Sequence, residues 1–449
     1  MKTRSSDKLS KNGSLLIIVL WVVFGLVAIT LYFANEMSLE LRASDNRVCG
    51  LASEEAIEGA LCYASTILTN QIANGTNGNV PDPASYQSAA LPVGTAHFWF
   101  IGRDNNGQAQ PGQVTFGLVD EGSKLNLNTA SITNLTWLPN ITSEVAANIV
   151  DWRNTNNTTA IADGDGPTVY SSLGYTAKGL PFETVDELRL VYGMNMAMFI
   201  GADANRNGAL DPNETSTDGT ADPGISEYVT VYSREPNPAG KVNISSISSA
   251  AAGSLRSLLQ TNLTTTKATQ ILRKLGLSSK TPVTVTFHSP LDFYIKSGMA
   301  SADFASIATN LTMTNSPYIT GRVNVNTASA AVLTCLLNGD SESAQQLVSY
   351  RNTNPDALTS IAWLGDALTG NPTALATLRA HDNLTTRSFQ FTADVAAIGP
   401  NGRGYRRVRF VFDTATGTPQ LVYRQDLTRL GWALGKDARQ TWLFAKDSQ

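Results

Sequence analysis

Residues Ser14 to Ala34 form an unbroken apolar run without a single charge, and no other stretch constrains the fold as much. In a helix, ~20 such positions reach roughly 30 Å, the thickness of a bilayer's hydrocarbon core. Lys2, Arg4, Lys8 and Lys11 precede the run against one acid, Asp7, so the positive-inside bias predicts a cytoplasmic N-terminus and a body on the far side. The run is longer than the ~7–15-residue apolar core of a cleaved secretory signal. Beyond it no proline occurs before Pro81, and apolar residues recur at Met37, Leu41, Val48, Leu51, Ile57 and Leu61. This pattern predicts one continuous helix of ~55–60 residues that leaves the membrane.

The 449-residue chain is 42% hydrophobic, enough for two or three domains behind the anchor. Its formal charge of −4 lacks the basic excess of a general nucleic-acid binder. Cys49 and Cys62 stand about 20 Å apart on the predicted helix, too far to pair; they and Cys335 read as small buried hydrophobes. His97, His288 and His381 are scattered, with no second ligand at metal spacing, and no nucleophile-elbow or phosphate-loop motif occurs. No enzyme is expected, and His97, inside an aromatic strand, reads as a packed core residue.

Gly, Asn, Pro and Ser from Asn70 to Pro92 predict a loop that ends the helix. Ala96–Gly102 and Gln113–Val119 read as a hairpin, and Arg407–Phe412 with Gln420–Arg424 as a second. Between them lies an internal repeat. The segment from Lys124 to Ser131 matches that from Arg322 to Ser329, and at the same spacing Asn148–Asn154 matches Gln346–Asn352. A fainter copy starts at Lys241 and runs to Leu275, so repeats are assigned to 124–154, 241–275 and 322–352. Asn128 or Thr129, and Asn326 or Thr327, are expected to cap a helix pair. A further helix is expected at Pro181–Leu188, with Ile361–Leu364 in the comparable place.

Between the repeats, Asp203, Asn205, Asn207, Asp211 and Glu214 occupy positions 1, 3, 5, 9 and 12 of a loop. Gly208 stands at position 6, and Ala209 offers its carbonyl at position 7. That is the ligand spacing of an EF-hand-like calcium loop. Calcium is therefore the expected metal, with Asp218 and Asp222, or Asp163 and Asp165, as further candidate ligands.

The segment Lys11-Asn12-Gly13-Ser14 before an apolar run resembles the prepilin-type leader of type IV pilins and pseudopilins. The fifth residue after Gly13, usually Glu in that family, is Ile18. A carboxylate there neutralises a neighbour's buried N-terminal ammonium in a helical stack, so a subunit with no neighbour ahead does not need it. In this, and in repeats carried inside a pilin fold, the chain is similar to the K-type minor pseudopilin of type II secretion. The resemblance implies cleavage by prepilin peptidase after Gly13, methylation of Ser14, a single-pass protein of the bacterial inner membrane with a periplasmic body, and calcium in the insertion. It also implies I- and J-type minor pseudopilins as partners, secreted protein cargo as a further contact, and a tip position that initiates pseudopilus assembly. The expected fold is α+β: leader 1–13, transmembrane segment 14–34, pilin body 35–120 and 388–449 with an antiparallel sheet, and a mainly helical insertion at 121–387.

The repeats also resemble the helix-hairpin-helix units of DNA-binding competence receptors, which bind phosphate through a glycine-rich hairpin. Here the hairpins read Leu138–Thr142, without glycine, and Leu337–Ser341, with an added acid. A membrane-tethered DNA receptor is therefore the alternative, and nucleic acid is not the expected partner.

Overall fold

The computed structural model describes residues 9–104, 110–111, 113–155, 164–212, 214, 223–278, 283–435 and 437–438. One helix runs from Leu9 to Ala73, somewhat longer than expected because it includes Gly13 and continues past Asn70. Its apolar part from Leu15 is fully outside the packed body. The buried face begins near the sheet, where Ala56, Ala60, Ala64 and Leu68 recur every fourth residue. Small side chains at that spacing let the helix lie close against a sheet.

That sheet is antiparallel throughout, in the order Leu91–Val93, Ala96–Phe100, Gln390–Ile398, Arg406–Asp413, Gln420–Asp426. Val119–Asp120 also pairs with Gln390–Ile398. Phe98, Phe100, Phe391, Val395, Phe410 and Phe412 meet the helix and form one core. The predicted C-terminal hairpin is present. The predicted hairpin of 96–102 with 113–119 is not: only an Ile101–Phe116 bridge joins the two stretches, and both are laid on Gln390–Ile398 instead. The true partner of Ala96–Phe100 on its other side is Leu91–Val93, inside the stretch expected to be loop. Cys49 and Cys335 are buried as expected, but Cys62 is exposed, on the helix side away from the sheet. His97 is half-buried on its strand.

The insertion is built from three closed units, more regular than the helical repeats alone suggest. Each opens on a two-residue strand and closes on another that returns parallel beside it: Leu125–Asn126 with Val229–Thr230, Val242–Asn243 with Leu311–Thr312, and Val323–Asn324 with Leu384–Thr385. The Asn of each opening strand accepts from the backbone N–H two residues on, at 2.8, 3.0 and 3.0 Å. Its amide donates to a side chain three residues past the returning strand: Ser233, Asn315 and Ser388, at 2.9, 3.0 and 2.9 Å. The Thr of each returning strand accepts from the N–H two residues on. Asn and Thr are suited to both tasks because their short side chains reach their own backbone.

Within the units the helix pairs are Ile132–Thr136 with Ser143–Arg153, Gly253–Asn262 with Thr265–Lys274, and Ala330–Leu336 with Ser341–Thr353. Their caps correct the expectation: Ser131 and Ser329, not Asn128, Thr129, Asn326 or Thr327, accept from the first turn. Asn128 and Asn326 instead tie the following segments, Asn128 to both backbone groups of Phe182 and Asn326 to Leu358 and the Trp363 indole. The further helices are a 3₁₀ turn at Val185–Leu190 and a short helix at Trp363–Ala367. Arg153 donates to the Leu127 and Ala130 carbonyls, and Arg351 to those of Val325 and Ala328, which fixes each second helix against its opening strand.

Candidate functional site

The loop from Asp203 to Glu214 lies at the junction of insertion, sheet and C-terminal segment, with Asp203, Asn205, Asn207, Ala209, Asp211 and Glu214 buried. Asp203 accepts from the N–H groups of Asn207 and Gly208 at 3.0 and 2.7 Å. Glu214 accepts from those of Asn205 and Asp211 at 3.3 and 2.9 Å. Gly208 has φ +78, and a Cβ there would stand 2.9 Å from the Arg103 side chain, so the sixth position requires glycine. Ala209 begins a short strand that pairs parallel with Gln110–Pro111.

Asp203, Asp211 and Glu214 are all buried, and among the described residues no Lys or Arg nitrogen forms an ion pair with any of them. Burial pushes the Asp203 carboxyl up to about 6, with Arg103 opposing and Glu227 and Glu214 adding to the rise; burial raises Glu214 as well. Asn207 turns its amide toward Asp211 at 3.1 Å, and Asn205 does the same. Buried carboxylates with no cationic side chain in ion-pair range are an environment a hard cation relieves, and two amides plus the Ala209 carbonyl complete an all-oxygen donor set. By donor chemistry and order the loop fits calcium. In geometry the acids are still held apart by backbone N–H groups: among the described residues no three His, Cys, Asp or Glu side chains converge on one point. Asp165 lies apart from this loop, bonded to Asn148. Asp163, Asp218 and Asp222 lie outside the described residues.

What the sequence did not reveal is how this loop is fastened. Arg407, on the sheet, is fully buried and grips Asp394 through two bonds of 2.8 and 2.7 Å. Its Nη1 donates to the loop carbonyl of Asn205, and Nη2, already on Asp394, donates to that of Arg206 as well. Arg103 adds a bond to the Arg206 carbonyl at 2.7 Å while pairing bidentately with Glu227 at 2.8 and 2.9 Å. The Asn205 and Asn207 amides reach the carbonyls of Trp432 and Ala433. Burial works to raise the carboxyls of Asp394 and Glu227, yet the guanidinium groups beside them, chiefly Arg407 and Arg103 respectively, hold both well below the usual range.

Two further surfaces bear on function. Met37, Leu41, Val48 and Leu51 share one face of the long helix and are all exposed, on a different side from the Ala56–Leu68 face. The hairpin at Asn338–Gly339, the feature a phosphate-binding reading needs, is packed instead: a Cβ on Gly339 would stand 2.7 Å from the Trp137 ring of the first unit. The Asn134 amide also bonds the Cys335 carbonyl at 2.8 Å, and Asp340 caps the helix beyond.

The structure thus joins one helix long and apolar enough to cross a membrane to an antiparallel sheet that is interrupted by closed units of paired helices. Residues 120–160 match the helix-hairpin-helix motif family, and residues 323–377 match the family described as type II secretion system (T2SS), protein K. That second match lies within the last unit, so the likeness to the type II secretion protein K family is carried by residues 323–377. The chain is also similar to a chain in the crystal structure of the GspK-GspI-GspJ complex from the enterotoxigenic Escherichia coli type 2 secretion system, at TM-score 0.43 and 11% identity, over 86% of this chain and 99% of that one. Comparison with curated proteins finds no match.

Proposed function

We propose that this chain is a minor pseudopilin at the tip of the type II secretion pseudopilus, where it starts assembly with I- and J-type minor pseudopilins and supports protein export across the outer membrane. The observation that carries the reading is the exposed face of Met37, Leu41, Val48 and Leu51. It continues the membrane segment into the aqueous side, where apolar area of this kind is stable only if covered. Ile18 in place of Glu, and three repeat units too broad to stack along a thin filament, support a single copy at the end rather than many along it. The reading includes a cytoplasmic N-terminus, cleavage after Gly13 with methylation of Ser14, and calcium held by Asp203, Asn205, Asn207, Ala209, Asp211 and Glu214.

Co-purification of the full chain with its I- and J-type subunits in detergent tests it. Leu41→Glu with Val48→Glu is expected to reduce the recovered complex roughly tenfold while leaving the melting temperature unchanged, because both side chains are already exposed. A homopolymer of this chain, or a body that ignores both partners while binding duplex DNA in a steeply salt-dependent way, would overturn the reading in favour of the receptor. Intact mass of membrane-extracted protein checks the processing: the expected species begins at a methylated Ser14.

A further inference from the structure

Between the end of the long helix and the middle and last repeat units lies a cleft of about 840 Å³. One part of its wall is apolar, from Phe304, Ala308 and Leu311 of the middle unit and Ile361 of the last. Another part carries Lys241, Arg322 and Arg387. Arg322 is neutralised where it stands, held by Glu235 at 3.1 Å and Asp382 at 2.6 Å. Arg387 lies over the Phe389 ring at 4.9 Å and donates to the Asn77 carbonyl at 3.1 Å, and Lys241 is half-buried beside it. Among the described residues neither Lys241 nor Arg387 has a carboxylate in ion-pair range. Burial lowers the pKa of the Lys241 ammonium; Glu235 opposes this, and Arg387 and Arg322 add to it.

Two cations held partly out of water with no carboxylate in ion-pair range are unfavourable, and a ligand carboxylate would reduce that penalty. A second opening of about 650 Å³ shares Lys241, Arg387 and Asn77 and leads along Pro236–Gly240. The two cations thus stand midway along an elongated groove rather than at the bottom of a small pit. That shape suits an extended chain better than a compact anion. Asp356 also lines the cleft, so a ligand of uniform negative charge would be repelled at one end.

We propose that this groove binds an extended peptide segment of another protein, with an acidic side chain at Lys241 and Arg387 and an adjacent apolar side chain against Phe304 and Leu311. The proposal does not rest on the tip position.

The test uses the full chain in detergent and a fluorescein-labelled six-residue peptide alternating Glu and Leu, read by fluorescence anisotropy. Saturable binding is expected, weakened roughly tenfold when Gln replaces Glu in the peptide and by a similar factor in Lys241→Met. Arg387→Gln should weaken it likewise, while Lys241→Arg should retain it. Equal melting temperatures of Lys241→Met and the wild type would exclude unfolding as the cause. Zero-length carbodiimide coupling followed by peptide mapping should join the probe to Lys241. Three outcomes would overturn the proposal: equal binding of the Gln peptide, displacement by acetate or phosphate as effective as by unlabelled peptide, or roughly tenfold tighter binding after removal of residues 439–449, which would make the chain's own tail the occupant.

Discussion

At the scale of single residues, the pair of Asp394 and Arg407 bears the largest consequence. Both are completely enclosed, and the Arg407 guanidinium also donates to the carbonyls of Asn205 and Arg206. Removing one partner of such a pair leaves a buried charge without compensation, so Asp394→Asn is expected to destabilise by about 3–5 kcal/mol, read as a shift in the denaturant midpoint. The pH dependence has a definite sign. The Asp394 carboxyl is held below its unfolded value of about 3.9, so its contribution is fully present above that value and is lost as pH falls toward the depressed folded one. Glu227, depressed beside Arg103, acts in the same direction. The wild type should lose stability progressively below about pH 4, and the Asp394→Asn protein should show a flatter acid limb over that range. An acid limb of equal slope in both proteins would mean that the pair does not titrate with folding.

At the scale of elements, the repeat unit was half legible. The matching Asn-Thr-Ala-Ser segments located the starts of the first and last units, though not their opening strands, and apolar spacing marked their helix pairs. The returning strands escaped because a two-residue strand has no periodicity to detect, yet they carried a signal: Val229-Thr230, Leu311-Thr312 and Leu384-Thr385 are the same apolar-Thr pair. Gln390–Ile398, the centre of the sheet, was hidden for another reason. Its alternate residues face the helix core and the buried polar network, so all nine are buried and the polar-outside pattern of a half-exposed strand is absent. The mispaired first hairpin followed from missing it, since both its halves needed a third strand to lie on. The order of acids, amides and glycine from Asp203 to Glu214 was legible, while the fastening of that loop by Arg407 and Arg103 was not, because those contacts join residues some 100 to 200 positions apart. Asn126→Ala and Asn324→Ala each remove the link between an opening strand and the segment beyond its returning partner, at buried sites, and should cost about 1–3 kcal/mol. Asn243→Ala should cost less, since its bond to Asn315 is exposed. Gly339→Ala places a methyl against Trp137 at a left-handed φ of +95 and should cost about 1–3 kcal/mol. Part of that loss should be recovered in a Trp137→Ala background if the clash, rather than the backbone conformation alone, is responsible.

At the scale of the whole molecule, the insertion interrupts the sheet's own connection: the chain leaves after Asp120 and returns at Gln390, and the two strands are neighbours. The body and the insertion therefore share a hinge of two adjacent chain crossings, and their relative placement depends on what else joins them. Glu121 is one tie, through Thr392 and Thr230. The loop from Asp203 to Glu214 is another, through Arg407 on the sheet and the Trp432 and Ala433 carbonyls beyond it. A cation in that loop would therefore act on the joint as well as on the insertion. By linkage, calcium at a hundred times its dissociation constant would add about 2.7 kcal/mol to the state that binds it. The full chain in detergent is expected to melt at a higher temperature in excess calcium than in chelator, and Asp203→Ala or Glu214→Ala should abolish the difference. If the loop also fastens the joint, chelator should speed proteolysis at the segments flanking Asp120 and Gln390, and not only within the insertion. Equal melting with and without calcium would sink the metal assignment, whereas a melting difference without altered cleavage at the joint would confine the metal's role to the loop itself.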